Sequence, residues 1–299
     1  MAERRPKKRH RVLKITGLCV LVFTISVIVF MVSYILGIDG WQDFDPTEIE
    51  QNMELSLRIY DRDGELYTTI FANENRVYAE IEDMPDHLKN VFIAIEDTRF
   101  YEHNGIDPTR IIGALWEDIK SGSIKQGAST ISQQLIKTSH LTYDQTMSRK
   151  LAEIMMAFKL EQVYTKDEIL ELYLNQVYFG KGAYGVGTAA MVYFGKDVSE
   201  LNLSESAALA GILKSPSNYA PHINMDQCIQ RRNLVLSEMY ENGFITEDEY
   251  NAAKAAKLSI VDYDASAYPY GFYTDMVQKD ACELLGISYA ELQTGGYQV

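Results

Sequence analysis

Residues Ile15 to Ile38 form an uncharged run of 24 residues, rich in Val, Ile, Leu and Phe. A helix rises about 1.5 Å per residue, so about 20 such residues cross the hydrocarbon core of a bilayer. The run is long enough. A cleaved signal sequence is the competing reading, but its apolar region spans only about 7–15 residues. Ser33-Tyr34-Ile35-Leu36-Gly37 also makes a poor small-x-small cleavage site. The run is expected to be an uncleaved transmembrane anchor. Seven Lys and Arg residues and one Glu precede it within residues 1–14. A basic flank stays on the cytoplasmic side, which puts residue 39 onward outside the cell. The expected topology is single-pass type II in the cell membrane, with the body extracellular or periplasmic.

Charge separates the two sides of this run. Residues 1–14 carry a net +6 and the whole chain −14, which leaves −20 for residues 39–299. So acidic a body would repel polyphosphate, and a nucleic-acid partner is not expected. With 46% apolar residues the body has enough material for a sizeable core. Of the three cysteines, Cys19 lies in the apolar run. Cys228 and Cys282 make no disulfide framework or metal-ligand spacing and are read as packing residues, though whether they meet stays open.

Local signals organise the body. Asp39 to Asn52 is polar and acidic, and reads as a short stalk. Leu55–Tyr60 and Glu65–Phe71 flank Asp61-Arg62-Asp63-Gly64, which predicts a hairpin. Beyond Met84 the pattern turns helical. Capping boxes at Thr165–Glu168, Asn202–Glu205 and Thr246–Glu249 each predict a helix start. Gly180–Gly187 predicts a loop with unusual backbone angles. A short amphipathic helix is expected near Tyr273–Leu285, and Gly295–Val299 looks like a strand beginning.

Five short segments carry residue types suited to chemistry. In the first, Glu96-Asp97-Thr98-Arg99-Phe100-Tyr101-Glu102-His103-Asn104-Gly105 follows the apolar Val91–Ile95. A carboxylate at the end of an apolar helix loses part of its hydration, which suits a proton acceptor. An exposed acidic helix end fits the same residues. In the second, Gln126-Gly127-Ala128-Ser129-Thr130-Ile131-Ser132-Gln133-Gln134-Leu135 offers many neutral donors, suited to sugar hydroxyls and phosphate oxygens. An ordinary helix cap at Ser129 or Thr130 fits equally. Arg149-Lys150-Leu151-Ala152-Glu153 reads as a surface ion pair or as a cationic clamp for a diphosphate. Lys166 to Asn175 and Arg231 to Leu236 read as packed helices.

Taken in order, these segments resemble the five motifs of the family 51 peptidoglycan glycosyltransferases, the N-terminal catalytic domain of class A penicillin-binding proteins. The forms are E-D-x-x-F-x-x-H-x-G, G-x-S-T-I-x-Q-Q, R-K-x-x-E, K-x-x-I-L-x-x-Y-L-N and R-R-x-x-V-L, matched without departure at the defining positions. The resemblance covers Met53 to Tyr250. It implies a mainly α, lysozyme-like two-lobed glycosyltransferase domain with a small β-hairpin region, preceded by one transmembrane helix. It divides the chain into a basic tail (1–14), an anchor (15–38), a stalk (39–52), a glycosyltransferase domain (53–257) and the start of a linker toward a transpeptidase domain (258–299).

The implied reaction polymerises lipid II into β-1,4-linked glycan with inversion, releasing undecaprenyl pyrophosphate. Glu96 is the implied general base and Glu153 the second catalytic carboxylate, near the leaving diphosphate. Asp97, His103, Ser129, Thr130, Gln133, Gln134, Lys137, Arg149, Lys150 and Asn175 are implied to bind substrate. Mg2+ or Mn2+ is the implied aid, with Glu153 as a contact and no firm ligand set, and no organic cofactor is expected. Lipid II, nascent glycan, the bilayer, and cell-division or elongation proteins are the expected partners. Ile111, Ile112, Leu115 and Trp116 recur at helical spacing, either as core or as a small lobe dipping into the membrane. Lys137-Thr138-Ser139 imitates a transpeptidase triplet, but no Ser-x-x-Lys nucleophile motif accompanies it, so cross-linking is not expected of these residues. Two other readings stay open: a non-catalytic membrane scaffold, and a lysozyme-like hydrolase. Intact Glu96 and Glu153 oppose the first; the cations beside Glu153, unsuited to a protonated acid, oppose the second.

Overall fold

The computed structural model describes residues 7–38, 40–71, 73–121, 127, 129–141, 146–261 and 271–299. Helix α1 (Lys7–Leu36) contains the apolar run up to Leu36, and Ile15–Tyr34 is long and apolar enough to cross a membrane, with none of it buried in the protein. The segment expected as a stalk is packed against the body. Its short helix α2 (Glu48–Gln51) buries Ile49, and Phe44 is buried before it. The apolar residues Trp41, Phe44, Ile49 and Met53, spread among the acids, explain why.

The predicted hairpin forms as β1 (Leu57–Tyr60) and β2 (Leu66–Ile70), paired antiparallel. The Asp61 carboxylate accepts from the Asp63 and Glu65 amides at 2.9 Å, and Gly64 adopts φ +83°. These are the bonds and angle that Asp-x-x-Gly turns require. Strand β3 (Asn75–Arg76) then leads to the helical body: α3 (Asp86–Glu96), a 3₁₀ turn at Phe100–Glu102, α4 (Pro108–Ser121), α5 (Ile131–Ser139), α6 (Met147–Val163) and α7 (Lys166–Gln176).

Gly180–Gly187, expected as a loop, is tighter than that. Strands β4 (Tyr178–Gly180) and β5 (Ala183–Tyr184) form a hairpin, β5 also pairs parallel with β3, and α8 (Gly185–Phe194) starts at once. The expected backbone is there: Gly180, Gly182 and Gly185 all have positive φ. A Cβ at Gly185 would stand 2.8 Å from the Asn175 carbonyl oxygen, so only glycine fits.

The rest is α9 (Leu203–Leu213), α10 (Pro216–Tyr219), α11 (Met225–Glu241), α12 (Glu247–Ala255), α13 (Gly271–Leu285) and α14 (Tyr289–Thr294). All three predicted capping boxes are present, opening α7, α9 and α12. The fold is mainly helical with two small sheets. One large core joins α3, α5 to α9 and α11 through residues such as Phe92, Leu135, Leu170, Val186, Leu209 and Leu236. A separate small core holds Leu57, Ile59, Ile70, Cys282 and Leu292, so the hairpin packs on α13 and α14. The expected final strand lies beside β1: Arg58 donates to the Tyr297 carbonyl at 2.9 Å, and Tyr60 to that of Val299 at 2.7 Å. Cys228 and Cys282 are free, buried and in different cores.

Candidate active site

Glu96 is the last helical residue of α3, because Asp97 leaves helical geometry at φ −159°. Leu88, Val91, Phe92 and Ala94 fix the preceding turns in the core, and Glu96 emerges half-buried. Its carboxylate accepts from the Gln134 side-chain amide at 2.8 Å. Its backbone carbonyl accepts from Arg110. The Gln134 amide oxygen in turn faces the Tyr173 hydroxyl at 3.4 Å. That contact orients the amide, turning its NH2 toward Glu96. Burial, then the negative charges of Glu96 and Asp97, push the Tyr173 phenol well above its ordinary pKa, so its hydroxyl stays a donor.

The remaining motif residues of this loop build it. Asp97 is fully buried. It accepts from the Ile131 amide at the N-terminus of α5 (3.0 Å) and from His103 Nε2 at 3.0 and 3.1 Å. Phe100 is buried under the turn. Gly105 has φ +82°, and a Cβ there would lie 3.0 Å from the Ala157 carbonyl oxygen on α6. Arg99 pairs with Asp107, whose carboxylate also caps α4 by accepting from the Arg110 amide at 3.0 Å.

Helix α5 starts with a capping box, the ordinary helix cap that fits Thr130. Thr130 Oγ1 accepts from the Gln133 amide (3.2 Å), and the Gln133 side chain accepts from the Thr130 amide (2.9 Å). Thr130 also donates to the Gly105 carbonyl at 2.6 Å.

The second carboxylate, Glu153, lies on α6 and is 2% exposed. Lys150, one turn earlier, pairs with it and also donates to Ser129 Oγ at 2.9 Å. Glu96 and Glu153 are thus both tied to one stretch of chain, Ser129–Gln134. Lys137 is exposed one turn beyond Gln134 on α5.

These contacts divide the residues expected from sequence to bind substrate into buried and accessible groups. Asp97, His103, Thr130, Gln133 and Asn175 were expected to bind substrate; all five are buried. Asn175 bridges both backbone groups of Ala79 (2.9 and 2.8 Å) and donates to the Glu171 carbonyl. Asp97, Thr130, Asn175, the Gln133 amide oxygen and His103 Nε2 bind the protein itself and hold the site's frame, whereas His103 Nδ1 is buried without a partner. Arg149 does not join Lys150 at Glu153: it lines a different cavity, against α1. Glu96, Ser129, Gln134, Lys137 and Lys150 are half-buried or exposed and able to meet a ligand, and the buried Glu153 acts on that surface through Lys150. Ile112 and Trp116 are 67% and 70% exposed, which excludes core packing for this pair; Ile111 is half-buried, and the Leu115 side chain lies outside the described residues.

Three residues were missed. Tyr173 passed as a core position, with only its hydroxyl as a signal. Arg110 was legible as the third residue after a capping Asp. Arg76, 1% exposed, donates to the Asn175 and Glu54 carbonyls at 2.9 and 2.8 Å and pairs with Glu74. A single Arg in a β-rich stretch carries no such signal.

The family model described as Transglycosylase matches residues 63–240, which include every residue of this site. The chain belongs to the transglycosylase family. Among curated relatives it is 40% identical to penicillin-binding protein 1A of Escherichia coli K12 over 249 residues, covering 83% of this chain and 29% of that protein. It is 44% identical to penicillin-binding protein 1A of Aquifex aeolicus over 220 residues, covering 74% and 30%. Penicillin-binding protein 1A/1B of Bacillus subtilis is 40% identical over 271 residues, covering 88% and 29%. The chain thus spans less than a third of the length of these relatives. A crystal structure of penicillin-binding protein 1A from Haemophilus influenzae aligns over 83% of this chain and 27% of its own, at 26% identity and TM-score 0.43.

Proposed function

We propose that this chain polymerises a lipid-linked disaccharide into peptidoglycan, at the outer face of a membrane that α1 crosses. The Glu96 carboxylate, held at a helix end by a side-chain amide, carries the reading. In the proposed step Glu96 takes the proton from the 4-hydroxyl of the incoming sugar. The hydroxyl oxygen bonds to the anomeric carbon of the growing chain with inversion. The bond to the diphosphate breaks, and the diphosphate leaves with the electron pair. A diphosphate departs as a stable anion and needs positive charge more than a proton. Lys150 supplies that charge, with Ser129 as a neutral donor beside it and Lys137 within the same helix surface as Gln134. Positioned general bases contribute about 10²–10⁴-fold to rate.

A resident Mg2+ or Mn2+ does not fit the residues around Glu153. Its carboxylate already holds the Lys150 ammonium, which a cation would have to displace. Glu153 is also absent from the three-carboxylate group found among the described residues, Glu80, Glu82 and Glu171.

Membrane confinement of enzyme and lipid substrate would raise their effective concentration. The exposed Ile112 and Trp116 supply an apolar surface able to enter the lipid headgroup region. Incubating the purified chain with lipid II, then sizing the products, tests the proposal. Long glycan is the expected product. No reaction would favour a scaffold, and cleavage of preformed glycan a hydrolase; either would overturn the proposal.

A further inference from the structure

The first turns of α6 serve two sites. Consecutive helical residues project about 100° apart, so neighbours in sequence face different ways. Lys150 and Glu153 meet at Ser129, whereas Ser148, Arg149 and Ala152 line a cavity of about 590 Å³. The opposite wall is the outer end of α1, with Ser33 and Tyr34, and the two residues Gly37 and Ile38 just beyond it. The lining therefore joins one permanent cation, Arg149, and three hydroxyls, Ser33, Tyr34 and Ser148, to the apolar Ile38, Leu141 and Ala152. Tyr34 Oη and Ser148 Oγ lie 3.2 Å apart. Arg149 Nε is buried with no hydrogen-bond partner, and no ion pair engages the guanidinium among the described residues. A buried guanidinium donor without an acceptor is unfavourable unless a ligand supplies one, and phosphate oxygens match its fork of N–H groups. The cavity also lies where α1 would leave the bilayer, the depth of lipid phosphates.

We propose that this cavity binds the phosphate ester head of a membrane lipid, with its oxygens on Arg149, Tyr34 and Ser148 and its chain along α1. A bilayer phospholipid and a polyprenyl phosphate share that chemistry. The inference rests on α1 crossing the membrane and not on glycan transfer.

Native mass spectrometry of the detergent-released chain tests it, with dioleoylphosphatidylglycerol, undecaprenyl phosphate and dioleoylglycerol in separate arms. One phosphate lipid is expected to stay bound and uncharged dioleoylglycerol to be lost. Arg149→Gln should weaken retention about tenfold, the usual weight of a charge-assisted contact. Ala152→Leu, which fills the cavity and keeps the cation, should weaken it too; Arg149→Lys should restore part of it. Lys150→Gln should retain the lipid while losing polymerisation, which separates this site from the catalytic one. The arm that depends on Arg149 names the source. Equal retention of both phosphate lipids by wild type and Arg149→Gln would overturn the proposal, as would equal loss in Lys150→Gln.

Discussion

The Gln134 side chain has two chemically different ends, and Tyr173 decides which one faces Glu96. Tyr173 donates to the amide oxygen, which leaves the NH2 for the carboxylate. Tyr173→Phe keeps the buried ring and removes only that constraint. A hydrogen bond of this kind contributes about 1 kcal/mol, so kcat should fall about fivefold with KM little changed. Because the phenol's pKa is raised, the fall should be constant from pH 6 to 9 in a lipid II turnover assay. Cys228 gives a second residue-scale prediction. Burial pushes its thiol up to about 11, against the pull of Arg232. The raised value favours the neutral thiol, so maleimide at pH 7.5 should label Cys228 only after unfolding. Glu96 was legible in sequence because the role proposed for it needs a carboxylate at an apolar helix end. Asp97 and His103 were legible as important but not as buried, since polar residues in a turn look alike whether they face a ligand or each other.

The loop between α3 and α4 is held by contacts to α5 and α6, so damage to it should reach Glu96 through the frame. Gly105→Ala would place a Cβ against the Ala157 carbonyl at a positive φ. A cost of about 2 kcal/mol is expected in denaturant unfolding, more than the left-handed backbone alone imposes. Arg232, 2% exposed, staples α9 and α12 to α11 through Ser204 Oγ (3.1 Å) and the Ala256 and Lys254 carbonyls (2.8 Å each). Arg232→Met would leave those acceptors unmatched and cost about 3 kcal/mol. At the end of α5, His140 packs edge-on to Phe44 with ring centroids 4.9 Å apart. Burial lowers its pKa, outweighing the upward pull of Glu48. The unfolded chain therefore takes up a proton first as pH falls. Stability is full above about 6.5 and declines below it, and His140→Gln should flatten part of that decline in melts between pH 5 and 7. Capping boxes made α7, α9 and α12 legible because a helix start is a local event. The α5 cap was ambiguous because Thr and Gln at that spacing suit ligands as well as amides.

Across the whole molecule, the hairpin and the last residues form one unit that local patterns could not pair. Leu57 and Ile59 meet Leu292 and Cys282 over more than 200 residues of sequence, and parallel pairing of β1 with Gly295–Gln298 leaves no signature in either segment. The packing of Phe44 and Ile49 under the body was hidden for the same reason: acidic neighbours dominated the local composition. The helical class and the order of the five motifs needed no such partners and were readable directly. What joins the scales is the claim that α3 delivers one carboxylate to a sugar alcohol while α5 and α6 hold the rest of the site. The most direct test is glycan synthesis by Glu96→Gln, a substitution that preserves shape, with folding verified by its melting temperature. The account predicts a loss of about 10²–10⁴-fold in turnover of lipid II with near-normal stability. Near-wild-type polymerisation by that variant would contradict it.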